Sequence, residues 1–298
     1  STPLAMTMED IKGRALMKRE EVDVIQLALP VYGANDTQVL NNLRQTVASL
    51  QEACTGQRPS AIPMVPEELT MDAFLNLPTT QEAIQNRELP IAISCEEAEI
   101  IPINPSTLKN IVVLSEGKQS LQYTICHLVS VINHCLDNGH VLLVDSNEEY
   151  SFLKEKANAY ISGEEILDLF SNLDKEITNR KETPKDVQTF IVIPDLASFV
   201  EKVSISEDDF YQLYINAYKY GLHFITAGSK SVFFKVNPVI KVIKENITTA
   251  VIAMRLYDQS IVEHNSNNRE KKLEWDQAYI YDKGRTQKVK LIKQEIEE

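Results

Sequence analysis

Five apolar runs without an internal break constrain this chain most: "NIVVL" (110–114), "HVLLVD" (140–145), "TFIVIPD" (189–195), "LHFITAG" (222–228) and "TTAVIAMRL" (248–256). A strand that is apolar on both faces has to be covered on both faces. Parallel sheets meet that demand with crossover helices, so such runs alternating with helices imply an α/β fold. The intervening segments carry the helical period. In 119–137, Leu121, Ile125, Leu128, Ile132 and Cys135 align, and Asn138-Gly139 is the expected stop. In 163–182 the aligned set is Ile166, Leu169, Phe170, Leu173 and Ile177. The segment 206–221 reads as a capped helix ended by Gly221, and 236–247 gives one more helix. The expected architecture is a mostly parallel sheet flanked by helices on both faces. Antiparallel hairpins are added by 89–104, around the acidic turn "CEEAE", and by 277–292, turning at Asp282–Arg285.

The first third of the chain differs. A strand is expected in 19–33, ended by Pro30, then a helix over 35–54 capped by Asn35 or Asp36, with Val39, Leu43, Val47 and Leu50 on one face. Pro59, Pro63 and Pro66 make 56–69 an extended connector. Segments 70–78 and 79–87 are short helices at most. The expected division is a lead-in, 1–88, packed on a main domain, 89–298.

Composition narrows the function. The formal charge of −13 over 298 residues repels phosphate backbones, which argues against a nucleic-acid partner. Trp275 and the tyrosines do not interleave with a basic stripe, so no base-stacking platform is expected. No apolar run approaches the 18–20 residues that span a bilayer, and the opening "STPLAMTMEDIKGR" has no apolar signal core and reads as a cut. Cys54, Cys95, Cys126 and Cys135 form no CxxC pair and no zinc spacing, so they read as reduced core cysteines. His127 and His134 are seven apart, about 10 Å along a helix, too far for one metal ion. They read as solvated or core-edge histidines.

In a parallel sheet, ligands bind beyond the carboxyl ends of the strands. The turn after "NIVVL" contains Gly117-Lys118, where a phosphate loop G-x-x-x-x-G-K-[S/T] would sit. Started directly after the strand, that motif puts Ser115 and Ser120 in place of its glycines, Leu121 in place of Lys and Gln122 in place of the hydroxyl. Anchored on Gly117-Lys118, it puts its first glycine on Val112, inside the strand, and its hydroxyl on Gln119. Neither register works, although a helix N-terminus with Lys118 still attracts an anion weakly. Asp195, after "TFIVI", stands where a Mg²⁺-ordering acid would stand, with Pro194 in place of a second acid; helix capping is the plainer role. Asp145 has the same ambiguity. Thr226, Ala227 and Gly228 occupy a sensor position at the fourth strand's exit.

Taken in order, these segments resemble the FtsK/SpoIIIE-like ATPase family, and above all the terminal ATPase-like domain of the type VII secretion ATPases (the EssC/YukB/EccC group). "KGRALMKREEVDVIQLALP" resembles the end of one ATPase module, "RPSAIPMVPEEL" an inter-module linker, "LPIAISCEEAEIIPIN" the opening hairpin of the next and "AYIYDKGRTQKVKLI" its closing hairpin. "NIVVLSEGKQS" falls at Walker A, "TFIVIPDLASF" at Walker B and "GLHFITAG" at the sensor strand. "EITNRKE" falls at a helix end where the family often has an Arg, here Arg180.

The resemblance implies a P-loop NTPase-like fold and a vestigial nucleotide site of Gly117, Lys118, Gln119, Ser120 and Asp195, with no catalytic residue, no metal and no required cofactor beyond weak ATP/Mg²⁺. It implies secreted proteins and upstream ATPase modules of the same chain as partners, a hexamer in the full-length protein, and a place on the cytoplasmic side of a membrane. A weak ATPase using Lys118 and Asp195 is the alternative.

Overall fold

The computed structural model describes residues 14–18, 22–28, 30–53, 64–264 and 269–294. Cys54 and connector residues 56–63 fall outside them. The chain forms two compact units, 1–62 and 63–298.

In the smaller unit, β1 (Arg14–Lys18) and β2 (Val22–Gln26) pair antiparallel, Arg14 opposite Gln26. Helix α1 (Asp36–Ala53) begins at Asn35, whose Oδ1 accepts from Gln38 N at 2.9 Å, as its sequence predicts. None of its residues is buried, and the apolar stripe through Leu40, Val47 and Leu50 is exposed.

The larger unit opens with α2 (Met71–Leu75), capped by Thr70, and α3 (Pro78–Gln85), with Pro78 in its first turn. There follow β3 (Leu89–Ser94), β4 (Ile100–Ile103), β5 (Ile111–Ser115), α4 (Lys118–Cys135), β6 (Gly139–Asp145), β7 (Ala159–Ser162), α5 (Leu169–Glu182), β8 (Gln188–Ile193), α6 (Leu196–Lys202), α7 (Glu207–Asn216), β9 (Leu222–Ser229), α8 (Pro238–Glu245), β10 (Thr249–Ala253), β11 (Gln277–Asp282) and β12 (Arg285–Lys290).

The strands make one sheet in the order β4-β3-β12-β11-β10-β5-β9-β8-β6-β7. The stretch from β10 to β7 is parallel, and the stretch from β4 to β10 is antiparallel. This is the expected α/β sheet with added hairpins.

The alternation of side chains divides the core in two. Ile111, Val113, Phe190, Val192, Ile225 and Ala227 face the layer that holds α4, Leu69 and Phe74. Val112, Leu114, Ile191, Ile193, Leu222 and Phe224 face the layer built from α5, α6, α7 and α8. The closing hairpin turns through Lys283 (φ 47°) and Gly284 (φ 88°), both left-handed as a two-residue turn between twisted strands requires.

Several expectations change. The helix expected over 163–182 begins as a 3-10 turn at Gly163–Asp168 and becomes α-helical only at Leu169. Strand β7 has no counterpart among the expected elements, whereas α6 is the helix that the capping reading of Asp195 calls for. Gly139 does not stop α4 with a left-handed residue; it opens β6, where an added Cβ would come within 2.8 Å of Leu136 Cβ. His127 is fully buried rather than at the core edge. Its Nδ1 accepts from Ile292 N at 3.1 Å, so its Nε2 donates to Ile91 O at 2.7 Å, and burial lowers its pKa to about 4. His134 is exposed. Cys126 and Cys135 are buried, with burial raising their pKa values to about 11 and about 12, while Cys95 is half-exposed in the acidic turn rather than in the core.

Candidate functional site

The strand order centres the carboxyl edge of the sheet on β5. The chain leaves β5 toward β6 on one side and returns through β10 on the other, so the crevice where α/β sheets hold ligands falls at Ser115–Ser120. A phosphate loop would wrap an anion there in curled backbone. Here only Glu116 and Gly117 separate β5 from α4.

Gly117 is extended (φ −141°, ψ 164°), and an added Cβ would meet nothing within 4 Å, so no glycine is required at that position. Ser115 is fully buried; its hydroxyl donates to Gly117 O at 2.8 Å and makes a very short bond to the hydroxyl of Ser120. Ser120 also reaches Gly117 O at 3.3 Å. These bonds close the turn on itself. Leu121, where one register of the motif needs Lys, is buried in the core below α4.

What survives is the N-terminus of an 18-residue helix with no side-chain cap and no acidic residue in its first turn. It opens on a cleft of about 540 Å³ lined by Glu116–Ser120, by Arg255 beyond β10, and by Lys272 and Trp275. Lys118 does not point its charge there unopposed: Nζ sits 2.8 Å from Glu149 Oε2, both side chains about half exposed.

Asp195 stands at the exit of β8, one strand removed from the turn because β9 lies between β5 and β8. It caps α6. Oδ1 accepts from Ala197 N at 3.0 Å and Ser198 N at 3.3 Å; Oδ2 accepts from Ser198 Oγ at 2.5 Å and Asn147 Nδ2 at 2.9 Å.

The loop after β6 therefore reaches both candidate residues, Asn147 to Asp195 and Glu149 to Lys118. Between them Glu148 sits at φ 61°, a left-handed conformation that non-glycine residues seldom adopt. Sequence reasoning missed Asn147 and Glu149, because loop-to-loop contacts leave no periodic trace. Asp145, which starts this loop, is fully buried and accepts from Tyr150 N at 2.9 Å and Tyr160 OH at 3.1 Å. Burial raises its carboxyl pKa. It is a turn-former, as one of its two sequence readings holds.

Two further positions are inward-facing. Thr226 lies fully buried within β9, which runs on to Ser229, so it is not at the strand exit. Arg180 belongs to the opposite, amino edge. It is 6% exposed, and its Nε donates to Glu176 at 2.8 Å. Nη1 donates to Val187 O and Tyr220 O, both at 2.8 Å, and to Gly221 O at 3.1 Å; Nη2 donates to Thr189 Oγ1 at 2.7 Å. A guanidinium so engaged is a clamp between β8 and β9. Among the described residues no group of three metal-ligating side chains converges, and no helix is long and apolar enough to cross a membrane.

No family model matches the chain. It is 21% identical over 290 residues to the type VII secretion system protein EssC of Staphylococcus aureus (strain MRSA252), which takes in 96% of this chain and 19% of that one. It is 21% identical over 305 residues to the ESX secretion system protein YukB of Bacillus subtilis (strain 168), 95% and 20% of the two chains. The chain thus spans about a fifth of the length of these relatives.

Among solved structures, EssC (ATPases 2 and 3) from Geobacillus thermodenitrificans superposes with a TM-score of 0.68 at 18% identity, covering 98% of this chain and 57% of that one. Thermomonospora curvata EccC (ATPases 2 and 3), in complex with a signal sequence peptide, gives 0.59 at 17% identity, 98% and 55%. The chain is homologous to the EssC/YukB type VII secretion proteins, and its fold is that of the solved EssC ATPase 2 and 3 domains.

Proposed function

We propose that the chain is the C-terminal pseudo-ATPase module of a membrane-anchored type VII secretion coupling protein, working on the cytoplasmic side of the membrane. On this reading residues 1–88 are a lead-in from a preceding module and 89–298 the degenerate ATPase-like domain. It recognises secreted substrate proteins and regulates the upstream ATPase modules of the same polypeptide, within a homo-oligomer of the full-length protein.

The observation that carries the loss of hydrolysis is the closed turn at Ser115–Ser120. Transfer of a γ-phosphoryl group needs backbone amides around the β- and γ-phosphates, a Lys between them and an ordered Mg²⁺. Here the turn bonds to itself, Leu121 is in the core, Lys118 is paired with Glu149, and Asp195 spends both oxygens on α6 and Asn147. Gly117, Lys118, Gln119, Ser120 and Asp195 are then the remains of a nucleotide site. Substrate recognition draws on the signal sequence peptide bound to the EccC relative.

With ATP and Mg²⁺ the protein is expected to turn over no faster than buffer. Turnover that vanishes in Asp195→Ala would establish a working ATPase instead. Calorimetry with a signal sequence peptide as titrant tests recognition: saturable binding unaffected by Lys118→Ala is expected, and no binding at any accessible concentration would remove that half of the reading.

A further inference from the structure

We propose that residues 291–294, directly after β12, are a latch that holds the lead-in of the larger unit against α4. It rests on the proposed role only for what the lead-in connects to. Two side chains on one face of α4, at positions i and i+3, grip these residues. His127 Nδ1 accepts from Ile292 N at 3.1 Å, and Ser130 Oγ donates to Gln294 Oε1 at 3.2 Å. The ring of His127 also donates to Ile91 O on β3, so one buried imidazole pins the strap to helix and sheet together. Leu291 and Ile292 are themselves buried in the α4 layer, and Leu291 N donates to Asp276 O at 2.7 Å.

The outer side of the strap is different. It holds the lead-in by one backbone bond, Lys293 N to Leu69 O at 2.7 Å, and one solvent-exposed ion pair, Lys293 Nζ to Glu68 Oε2 at 2.9 Å. Leu69 is 1% exposed, seated in the same core layer beneath the strap. The strap is thus bound firmly to α4 and lightly to the lead-in, the asymmetry of a latch. Parting the light side exposes Leu69 and frees the chain before α2 without breaking any strand pairing. Because α4 begins at the closed turn after β5, the strap gripped at mid-helix by His127 and Ser130 sits on the same rigid helix as that turn. This is a route by which a pull on the lead-in reaches the carboxyl edge of the sheet.

Hydrogen exchange read by mass spectrometry on the full chain tests this. Lys293→Pro removes the N–H that Leu69 O accepts and the cation that pairs with Glu68, at an exposed position. Peptides within 64–77 are expected to exchange about tenfold faster or more, while peptides in β5, β8 and β9 keep their protection. His127→Gln, which cuts the strap from the helix, is expected to release 291–294 and 64–77 together. Unchanged protection of 64–77 in Lys293→Pro overturns the latch, and so does a uniform gain in exchange across the sheet, which would make the strap an ordinary part of the core. No nucleotide, substrate or partner enters the measurement. Its failure leaves the pseudo-ATPase reading standing, and observed ATP turnover leaves the latch standing.

Discussion

At the carboxyl edge of the parallel sheet, polar side chains bond within a turn or between exposed loops; at the amino edge buried polar side chains tie strand to strand. The Ser115–Ser120 bonds span five residues at most, and the Lys118–Glu149 pair is half exposed. On the other edge, Asn110 donates to Tyr214 O and accepts from Phe224 N, both buried contacts. His223, fully buried, lies between Lys109 O and Gln188 Oε1. Arg180 gathers carbonyls from just before β8 and β9, and Gly221, at φ 67°, leaves it the room: an added Cβ would come within 2.7 Å of Val187 O. The edge where chemistry would occur is linked mostly through exposed and half-exposed groups. The amino edge carries the buried cross-links.

The severest way to break this contrast is Arg180→Met. Glu176 keeps Lys185 as its partner, but the buried Val187 and Tyr220 carbonyls lose the guanidinium that bridges them, and about 3 kcal/mol of stability is expected to go. Urea unfolding measures it, and a loss under about 1 kcal/mol would end the claim that this edge holds the sheet.

Acid comes next. Burial lowers the pKa of both His127 and His223 to about 4, against an ordinary value near 6.5. Between pH 6.5 and 4 the unfolded chain takes up protons that the folded one refuses. Stability is therefore complete above 6.5 and falls as the pH drops through that window, by at most about 3 kcal/mol for each ring. Asp145, with its raised pKa, opposes this on the acid side, so the test is a difference: His223→Gln should flatten the pH profile relative to wild type between pH 7 and 4.5.

At the carboxyl edge, Asp195→Ala should cost about 1 kcal/mol, the loss of one helix cap, with no change in any nucleotide signal. The smallest effect belongs to Lys118→Ala. Stability should stay within about 0.5 kcal/mol. Any weak binding of ATP, pyrophosphate and sulfate at the α4 N-terminus should vanish, and in the wild type should fade between low and high salt. Salt-insensitive binding that prefers adenine nucleotides would make the carboxyl edge a functioning pocket and reverse the comparison.

How far the sequence discloses this follows from the same physics. The runs that became β5, β6, β8, β9 and β10 are readable because burial on both faces forbids polar residues. Strand β7 is not: it is a four-residue edge strand with no buried residue, and "AYIS" has neither the length nor the pattern. His127 was misplaced because the visible stripe on α4 suggests one apolar face, whereas every residue from Tyr123 to Ile132 is buried. The mismatch of residues 115–121 with the phosphate-loop pattern was legible from Ser115, Ser120 and Leu121 alone. That Asn147 and Glu149 occupy Asp195 and Lys118 was not, since those partners meet only after β6 and β8 lie side by side.

The order of the ten strands has one more consequence. Its two outer strands, β4 and β7, are four residues each. On β4 the exposed Pro102 lacks an amide hydrogen to offer a newcomer, and β7 gives way at once to Gly163, whose φ of 58° turns the backbone out of line. A sheet of this width is thereby stopped from growing sideways. A second copy approaching either edge of this sheet finds a short strand with a proline or a backbone turned out of line, not a template that extends into a continuous ribbon.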